Sequence, residues 1–180
     1  MRVSIIMPVY NGGNILPITI PALLNQTYPE EKIEIIFIDD GSTDNTQEVL
    51  DSKEWKNCFK TILHSTNRGR SITRNSGINS ASGELLIFLD CDIEVYPDFV
   101  SQHVEYHQNN NIIGVTSKIC SSSEKIKNKY HKYIFSSSKR GVERQPKGQP
   151  IPFKYFIIGC TSIKATAFKK SRLFNEQLKA

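Results

Sequence analysis

The chain has 180 residues and a mass of 20.5 kDa, the size of one ordinary domain, which excludes a disulfide-stapled miniature and a pair of full domains. With 38% hydrophobic and 23% charged residues, 10 Gly and 8 Pro, it is no collagen, coiled coil or disordered tail, and its longest apolar runs (residues 35–38 and 85–89) fall far short of the roughly 18–20 residues of a membrane span. The net charge of +5 conceals an asymmetry: residues 1–100 carry 8 Lys and Arg against 14 Asp and Glu, whereas residues 101–180 carry 15 against 4, so the acidic and basic halves are expected to do different jobs.

The first ten residues hold one Arg, and Pro8 follows a short apolar run, a poor signal peptide and a good first strand. Four apolar, β-branched runs predict strands at residues 3–9, 33–39, 61–65 and 85–90. Between them stand helix signals, such as Asp44, Asn45 and Thr46 ahead of Val49 and Leu50. After Asn11, Pro17 and Pro21 must lie at a helix start or kink it. Strand alternating with helix predicts an α/β fold with a mainly parallel sheet covered by helices on both faces. Further on, Pro97 can open a helix carrying Phe99, Val100 and Val104, and a strand is expected over residues 112–119. Residues 121–150 mix Ser, Lys, Arg, Gly and Pro and read as a basic, mobile loop with helical turns around residues 129–135. Apolar structure resumes over residues 153–163 and runs into a short helix near residues 165–170. Neither an internal repeat nor a domain linker is visible.

Cys58, Cys91, Cys120 and Cys160 form no CxxC pair and have no His at ligand spacing, so neither a zinc site nor a disulfide framework is indicated and a reducing, cytoplasmic setting is expected.

In an open parallel sheet, ligands bind beyond the carboxyl ends of the strands. Those tips are polar here: Pro8, Val9, Tyr10 and Asn11 end the first strand, Asp39, Asp40, Gly41 and Ser42 the second, and Asp90, Cys91 and Asp92 the fourth. Residues two apart in an extended segment face the same side, so Asp90 and Asp92 can converge on a Mn2+ or Mg2+ ion, which takes one or two carboxylates plus substrate phosphates. They can equally form a solvated turn, which Asp favours. Asp40 or Ser42 can cap the next helix, or a carboxylate at this tip can accept the imide N–H of a uracil or thymine. Arg68, Arg70 and Arg74 can meet phosphate, shield the acidic rim, or simply solvate a helix face. Cys91 is a small side chain between two aspartates.

The order of these pieces is more specific than any one of them. Ser4-Ile5-Ile6-Met7-Pro8-Val9-Tyr10-Asn11, Leu23-Leu24-Asn25-Gln26-Thr27-Tyr28-Pro29, Ile38-Asp39-Asp40-Gly41-Ser42-Thr43-Asp44, Arg74-Asn75-Ser76-Gly77, Gly83-Glu84 and Leu89-Asp90-Cys91-Asp92 closely resemble family 2 glycosyltransferases of the GT-A fold. The match is dense from residue 3 to about 100 and thin beyond, where Gly159-Cys160 and Phe174-Asn175-Glu176 resemble later landmarks. The resemblance implies one domain over 1–180, with a nucleotide-binding half at 1–100 and an incomplete acceptor-side half at 101–180. It implies that Pro8, Val9, Tyr10, Asn11, Asp39, Asp40, Arg74, Asp90 and Cys91 serve the nucleotide and that Asp92, with Asp90, holds Mn2+ or Mg2+. The implied reaction is inverting transfer of a sugar from a UDP-linked nucleoside-diphosphate donor to a glycan or lipid-linked acceptor. The family's usual base lies in an acidic motif due after Phe174-Asn175-Glu176, and the chain ends at Ala180 without it. Truncation of a longer enzyme is therefore expected; the alternatives are Glu176 standing in as base, or a catalytically silent nucleotide- or glycan-binding domain. The basic loop suits peripheral contact with the inner face of a membrane. No aromatic stacking platform or nucleic-acid motif accompanies its charge, which argues against nucleic acid.

Overall fold

In the computed structural model, which describes residues 1–55, 57–109, 111–117, 119, 150–151, 156, 158–170 and 173–177, strand β1 (Val3–Val9) lies between two parallel partners. These are β2 (Ile33–Asp39), in register from Val3 opposite Ile33 to Val9 opposite Asp39, and β4 (Leu85–Leu89), from Val3 opposite Leu85. Strand β3 (Lys60–Leu63) extends the sheet beyond β2, also parallel. Beyond β4 the direction reverses: β6 (Cys160–Lys164) pairs antiparallel with β4, and β5 (Gly114–Thr116) antiparallel with β6, giving the order β3-β2-β1-β4-β6-β5.

The period-2 alternation of β1, β2 and β4 feeds two cores. Val3, Ile5, Met7 and Val9 join Ile35, Phe37, Leu85, Ile87 and Leu89 on one face, covered by helices α1 (Leu16–Leu24) and α4 (Phe99–His107). Ile6, Ile36, Ile38, Leu86 and Phe88 turn to the other face, under α3 (Arg70–Ser80) and α5 (Ala165–Lys170). Both faces are thus buried, which is why these strands read as continuous apolar runs. Gly77 lets α3 sit close to the sheet: a Cβ there would lie 2.4 Å from Ile6 Cγ2.

The expected elements recur with shifted bounds. Pro17 lies in the first turn of α1 and Pro21 within it. Helix α2 (Thr46–Leu50) is a short turn whose start is held by Asp44, which accepts the Thr46 N–H at 3.0 Å. The third strand spans Lys60–Leu63, not 61–65, and the strand expected over 112–119 is Gly114–Thr116, which among the described residues is an edge strand paired with β6. The expected loop at 121–149 with its helical turns, Cys120, and most of residues 152–157 lie outside the described residues.

Two buried polar clusters brace the sheet. Glu34 accepts from Ser4 Oγ (2.5 Å), Lys60 Nζ (2.6 Å), Ser82 N–H (2.8 Å) and Ser82 Oγ (3.0 Å). Burial favours its neutral form, yet these donors outweigh it and hold its pKa down at about 2. Between α4 and the antiparallel strands, His103 places Nδ1 2.7 Å from Ser162 Oγ and Nε2 2.8 Å from Ser117 Oγ, and His107 Nε2 lies 2.9 Å from Ser162 Oγ. Burial, reinforced by neighbouring His107, pushes the His103 pKa down to about 4.

His103 is therefore neutral when folded, whereas in the unfolded chain it takes a proton near pH 6.5. Its contribution to stability is complete above pH 6.5 and is lost as the pH falls toward 4, by on the order of 3 kcal/mol. Glu34 acts lower, its contribution being lost from about pH 4.5 toward 2. We expect urea midpoints to decline between pH 6.5 and 4.5, and His103→Gln to flatten that decline; an unchanged slope in the variant would exclude His103 as its source.

Candidate functional site

The strand order reverses at β1, so β2 leads away on one side and β4 on the other, and a crevice opens at their carboxyl ends. A cleft of about 560 Å³ lies there. Its lining brings together Pro8, Val9, Tyr10, Asn11, Asp40, Arg74, Asp90, Cys91 and Asp92 from four separate stretches of the sequence.

The β1 tip supplies one wall. Val9 is buried in the core, while Tyr10 beside it is 49% exposed and offers an aromatic face. Asn11 has φ of 53°, a left-handed conformation that Asn tolerates better than most residues. This turn is locked onto the loop after β2: the Asn11 N–H donates to Ser42 Oγ and the Thr43 N–H to Asn11 Oδ1, both at 2.8 Å. The following Gly12 N–H donates to Thr46 Oγ1 and the Gly13 N–H to Asp44 Oδ2.

The two adjacent aspartates divide. Asp39 is buried, accepts the Ser42 N–H at 2.9 Å and does not line the cleft. Asp40 lines it, but neither Asp40 nor Ser42 caps α2, as the sequence allowed. Asp40 Oδ1 faces His64 Nδ1 at 2.8 Å and accepts the Arg68 N–H at 2.9 Å; Oδ2 accepts the Gly69 N–H at 2.9 Å. Although burial favours the neutral acid, the His64 hydrogen bond, those two N–H groups and the Thr73 hydroxyl hold its pKa below the ordinary carboxylate value. Gly41 (φ 74°) lets the loop press on the Thr66–Asn67 backbone, where a Cβ would come within 2.5 Å.

The opposite wall is the β4 tip. Arg74 of α3 donates from Nη2 to Asp90 Oδ1 at 3.1 Å, while its buried Nε has no partner among the described residues. The Asp90 backbone N–H donates to Gly159 O at 2.8 Å, and a Cβ on Gly159 would stand 2.3 Å from Asp90 Oδ2. Asp92 is exposed. Burial and the charges of Asp92 and Asp90 push the Cys91 thiol up to about 11, so it is neutral near pH 7 and no nucleophile.

Mn2+ or Mg2+ fits the donor chemistry of this edge, since both carboxylates offer hard oxygens to one cleft. No group of three or more His, Cys, Asp or Glu among the described residues could hold an ion unaided, so phosphate oxygens and water would have to complete the shell. Glu176 is elsewhere: its Oε1 accepts from Asn75 Nδ2 at 2.9 Å and it does not line the cleft.

Arg70 lines the cleft, whereas Arg68 contributes its backbone N–H to Asp40. Sequence reasoning missed His64, Gly69, Thr73 and the steric role of Gly159. His64 directly follows β3, so extending the strand-tip rule to the third strand would have found it. Gly159-Cys160 stands out in the sequence as a landmark, but nothing local indicates that Gly159 meets Asp90.

A family model described as glycosyl transferase family 2 matches residues 4–172. The chain is 34% identical over 183 aligned positions to the glycosyltransferase RT0329 of Rickettsia typhi, covering 98% of this chain and 54% of that one. It is 40% identical over 96 residues to the glycosyltransferase YibD of Escherichia coli K12, covering 53% of this chain and 27% of that one. The chain thus spans about half or less of these relatives. Among solved structures, S. aureus TarS 1-349 in complex with UDP matches all of this chain and 52% of its own with a TM-score of 0.74 at 20% identity. The mannosyltransferase PcManGT from Pyrobaculum calidifontis, in complex with GDP-Man and Mn2+, matches 98% of this chain and 48% of its own with a TM-score of 0.72 at 20% identity. These likenesses show the α/β fold of GT-A glycosyltransferases. Among the described residues no helix is long and apolar enough to cross a membrane.

The contact between Gly159 and Asp90 is directly testable. No left-handed backbone is involved at Gly159, so Ala is tolerated there except for the Asp90 carboxylate. We expect Gly159→Ala to turn that half-exposed carboxylate away from Arg74 at a stability cost of at most about 1 kcal/mol. A crystal structure of the variant with the 3.1 Å ion pair unchanged would contradict this.

Proposed function

Because the chain belongs to glycosyl transferase family 2, we propose that it transfers a sugar from a UDP-linked donor to a glycan or lipid-linked acceptor, with metal assistance and inversion. The observation that carries this reading is the convergence of Tyr10, Asp40, Arg74, Asp90 and Asp92 in one cleft at the reversal of strand order. Complexes of related folds with UDP, UDP-GlcNAc and GDP-Man support a nucleotide-sugar ligand.

In this reading the exposed face of Tyr10 stacks on the base. Asp40 lines the cleft, and its Oδ2, which accepts the Gly69 N–H, also accepts an imide N–H of the base. Arg74, whose Nε is unpartnered among the described residues, faces the donor's phosphates and steers Asp90. Mn2+ or Mg2+ held by Asp90 and Asp92 together with the phosphates would supply Lewis-acid stabilisation of the leaving diphosphate. Pro8, Val9 and Asn11 fix the floor and rim, and Cys91 fills the turn between the two aspartates as a neutral thiol. In the displacement, the acceptor hydroxyl passes its proton to a general base, its oxygen bonds to C1 as the C1–phosphate oxygen bond breaks, and the bonding electron pair leaves on the diphosphate. We give Glu176 no step in it. The Asn75–Glu176 hydrogen bond favours a second reading, a domain that binds the nucleotide sugar without turnover. A cytoplasmic location, on the strength of the cysteine pattern, and contact between the Lys- and Arg-rich residues 125–147 and an anionic membrane, on the strength of the charge of the second half, belong to this proposal.

Asp92→Asn should lower Mn2+-dependent UDP affinity about tenfold or more, measured by calorimetry, without moving the melting temperature, because an exposed strand tip contributes little to the core. Equal affinity at matched Mn2+ would remove Asp92 from the site. Incubating the chain with Mn2+ and a UDP-sugar, and following UDP release, separates enzyme from silent binder.

A further inference from the structure

Behind the cleft, three side chains from separate elements are hydrogen-bonded in line. Asp40 Oδ1 lies 2.8 Å from His64 Nδ1, and His64 Nε2 lies 3.0 Å from Ser76 Oγ on α3. The His64 side chain is 6% exposed and that of Asp40 7%. The backbone of His64 is fixed as well, its N–H donating to Asp39 O at 2.9 Å. Asp-His-Ser is the connectivity of a hydrolase triad, yet here Ser76 does not line the cleft. The ordered end of the line is the carboxylate, which does line it.

We propose that His64 is a positioning residue for the nucleotide site, acting through Asp40; this rests on the reading above in which Asp40 accepts from the base. An ionised carboxylate only accepts, so His64 Nδ1 carries the hydrogen toward Asp40. On the far side of the ring, Nε2 and Ser76 Oγ are hydrogen-bond partners at 3.0 Å. Fixing the ring at both nitrogens fixes Oδ1, and with Oδ1 held by His64 and the Arg68 N–H, the carboxylate cannot rotate. Oδ2 is then presented to the cleft in one orientation, bound on its other side to the Gly69 N–H at the start of α3. His64 so determines both which acceptor the ligand meets and where the turn carrying Gly69 and Arg70, two cleft-lining residues, sits.

The two ring nitrogens have different amide mimics. In Asn the side-chain amide nitrogen stands where Nδ1 is, and in Gln it stands where Nε2 is. His64→Asn therefore preserves the donor to Asp40 and gives up Ser76, whereas His64→Gln, closer to His in volume, preserves the Ser76 link and gives up Asp40. Calorimetric titration of UDP and ADP, each with Mn2+, into wild type and both variants tests the assignment, with folding checked by circular dichroism. We expect His64→Asn to bind UDP within about threefold of wild type. His64→Gln should lose tenfold or more, with its preference for UDP over ADP falling toward one. Amide resonances of Arg68 and Gly69 should shift in the Gln variant and stay in place in the Asn variant, and this readout requires no ligand. Wild-type-like UDP affinity and selectivity in His64→Gln, or an equal loss in both variants, would overturn the positioning role. A wild-type chain that binds neither nucleotide would overturn the nucleotide reading and this role with it, an outcome distinguishable by its appearance in wild type.

Discussion

The cleft depends on one constraint, the pairing of β1 with a parallel strand on each edge. Because β2 and β4 run with β1 in register, their carboxyl ends finish at the same level. Three short polar tips, far apart in sequence, are thereby delivered to one place. The burial of both faces fixes the register: a one-residue slip of β1 would exchange Ile5 and Met7 with Ile6 and move each apolar set to the wrong core. The positions of Tyr10, Asp40 and Asp90 follow from packing beneath the cleft.

The acidic residues divide by how fully their oxygens are satisfied. Glu34, Asp39 and Asp40 are buried, and each accepts hydrogen bonds from specified donors. A buried carboxylate without partners would favour its neutral form, and the donors around Glu34 and Asp40 reverse that preference. Asp90 is half exposed and held by Arg74 through Oδ1, and Asp92 is exposed. The carboxylates that organise the backbone are thus distinct from those that stand open to the cleft, and Asp40 belongs to both classes, hydrogen-bonded to the protein through both oxygens and lining the cleft.

The cleft is also shaped by absent atoms. Gly41 allows the loop after β2 to touch the Thr66–Asn67 backbone, and Gly159 leaves room for the Asp90 carboxylate. Gly77 does the same for α3 against Ile6, which sets the height at which Thr73 and Arg74 reach the cleft from the same helix. In each case the missing Cβ brings together surfaces from different elements.

By itself the sequence determined the strands β1, β2 and β4, the helix over Ala165–Lys170, the two-sided burial of the sheet and the polar strand tips. These features rest on local periodicity and on the rule that parallel strands present their carboxyl ends to ligands, and both operate within a few residues. Only the tertiary structure decided that β6 enters antiparallel beside β4 and brings Gly159 against Asp90, that Asp40 binds the start of α3 instead of capping α2, and that Asp39 turns inward. It likewise decided that His64 stands behind Asp40 with Ser76. Each of these depends on contacts between segments distant in the chain, such as Leu85 with Lys164. Which of two adjacent buried carboxylates lines the cleft depends on which donors the folded chain brings within 3 Å, and that is set by packing.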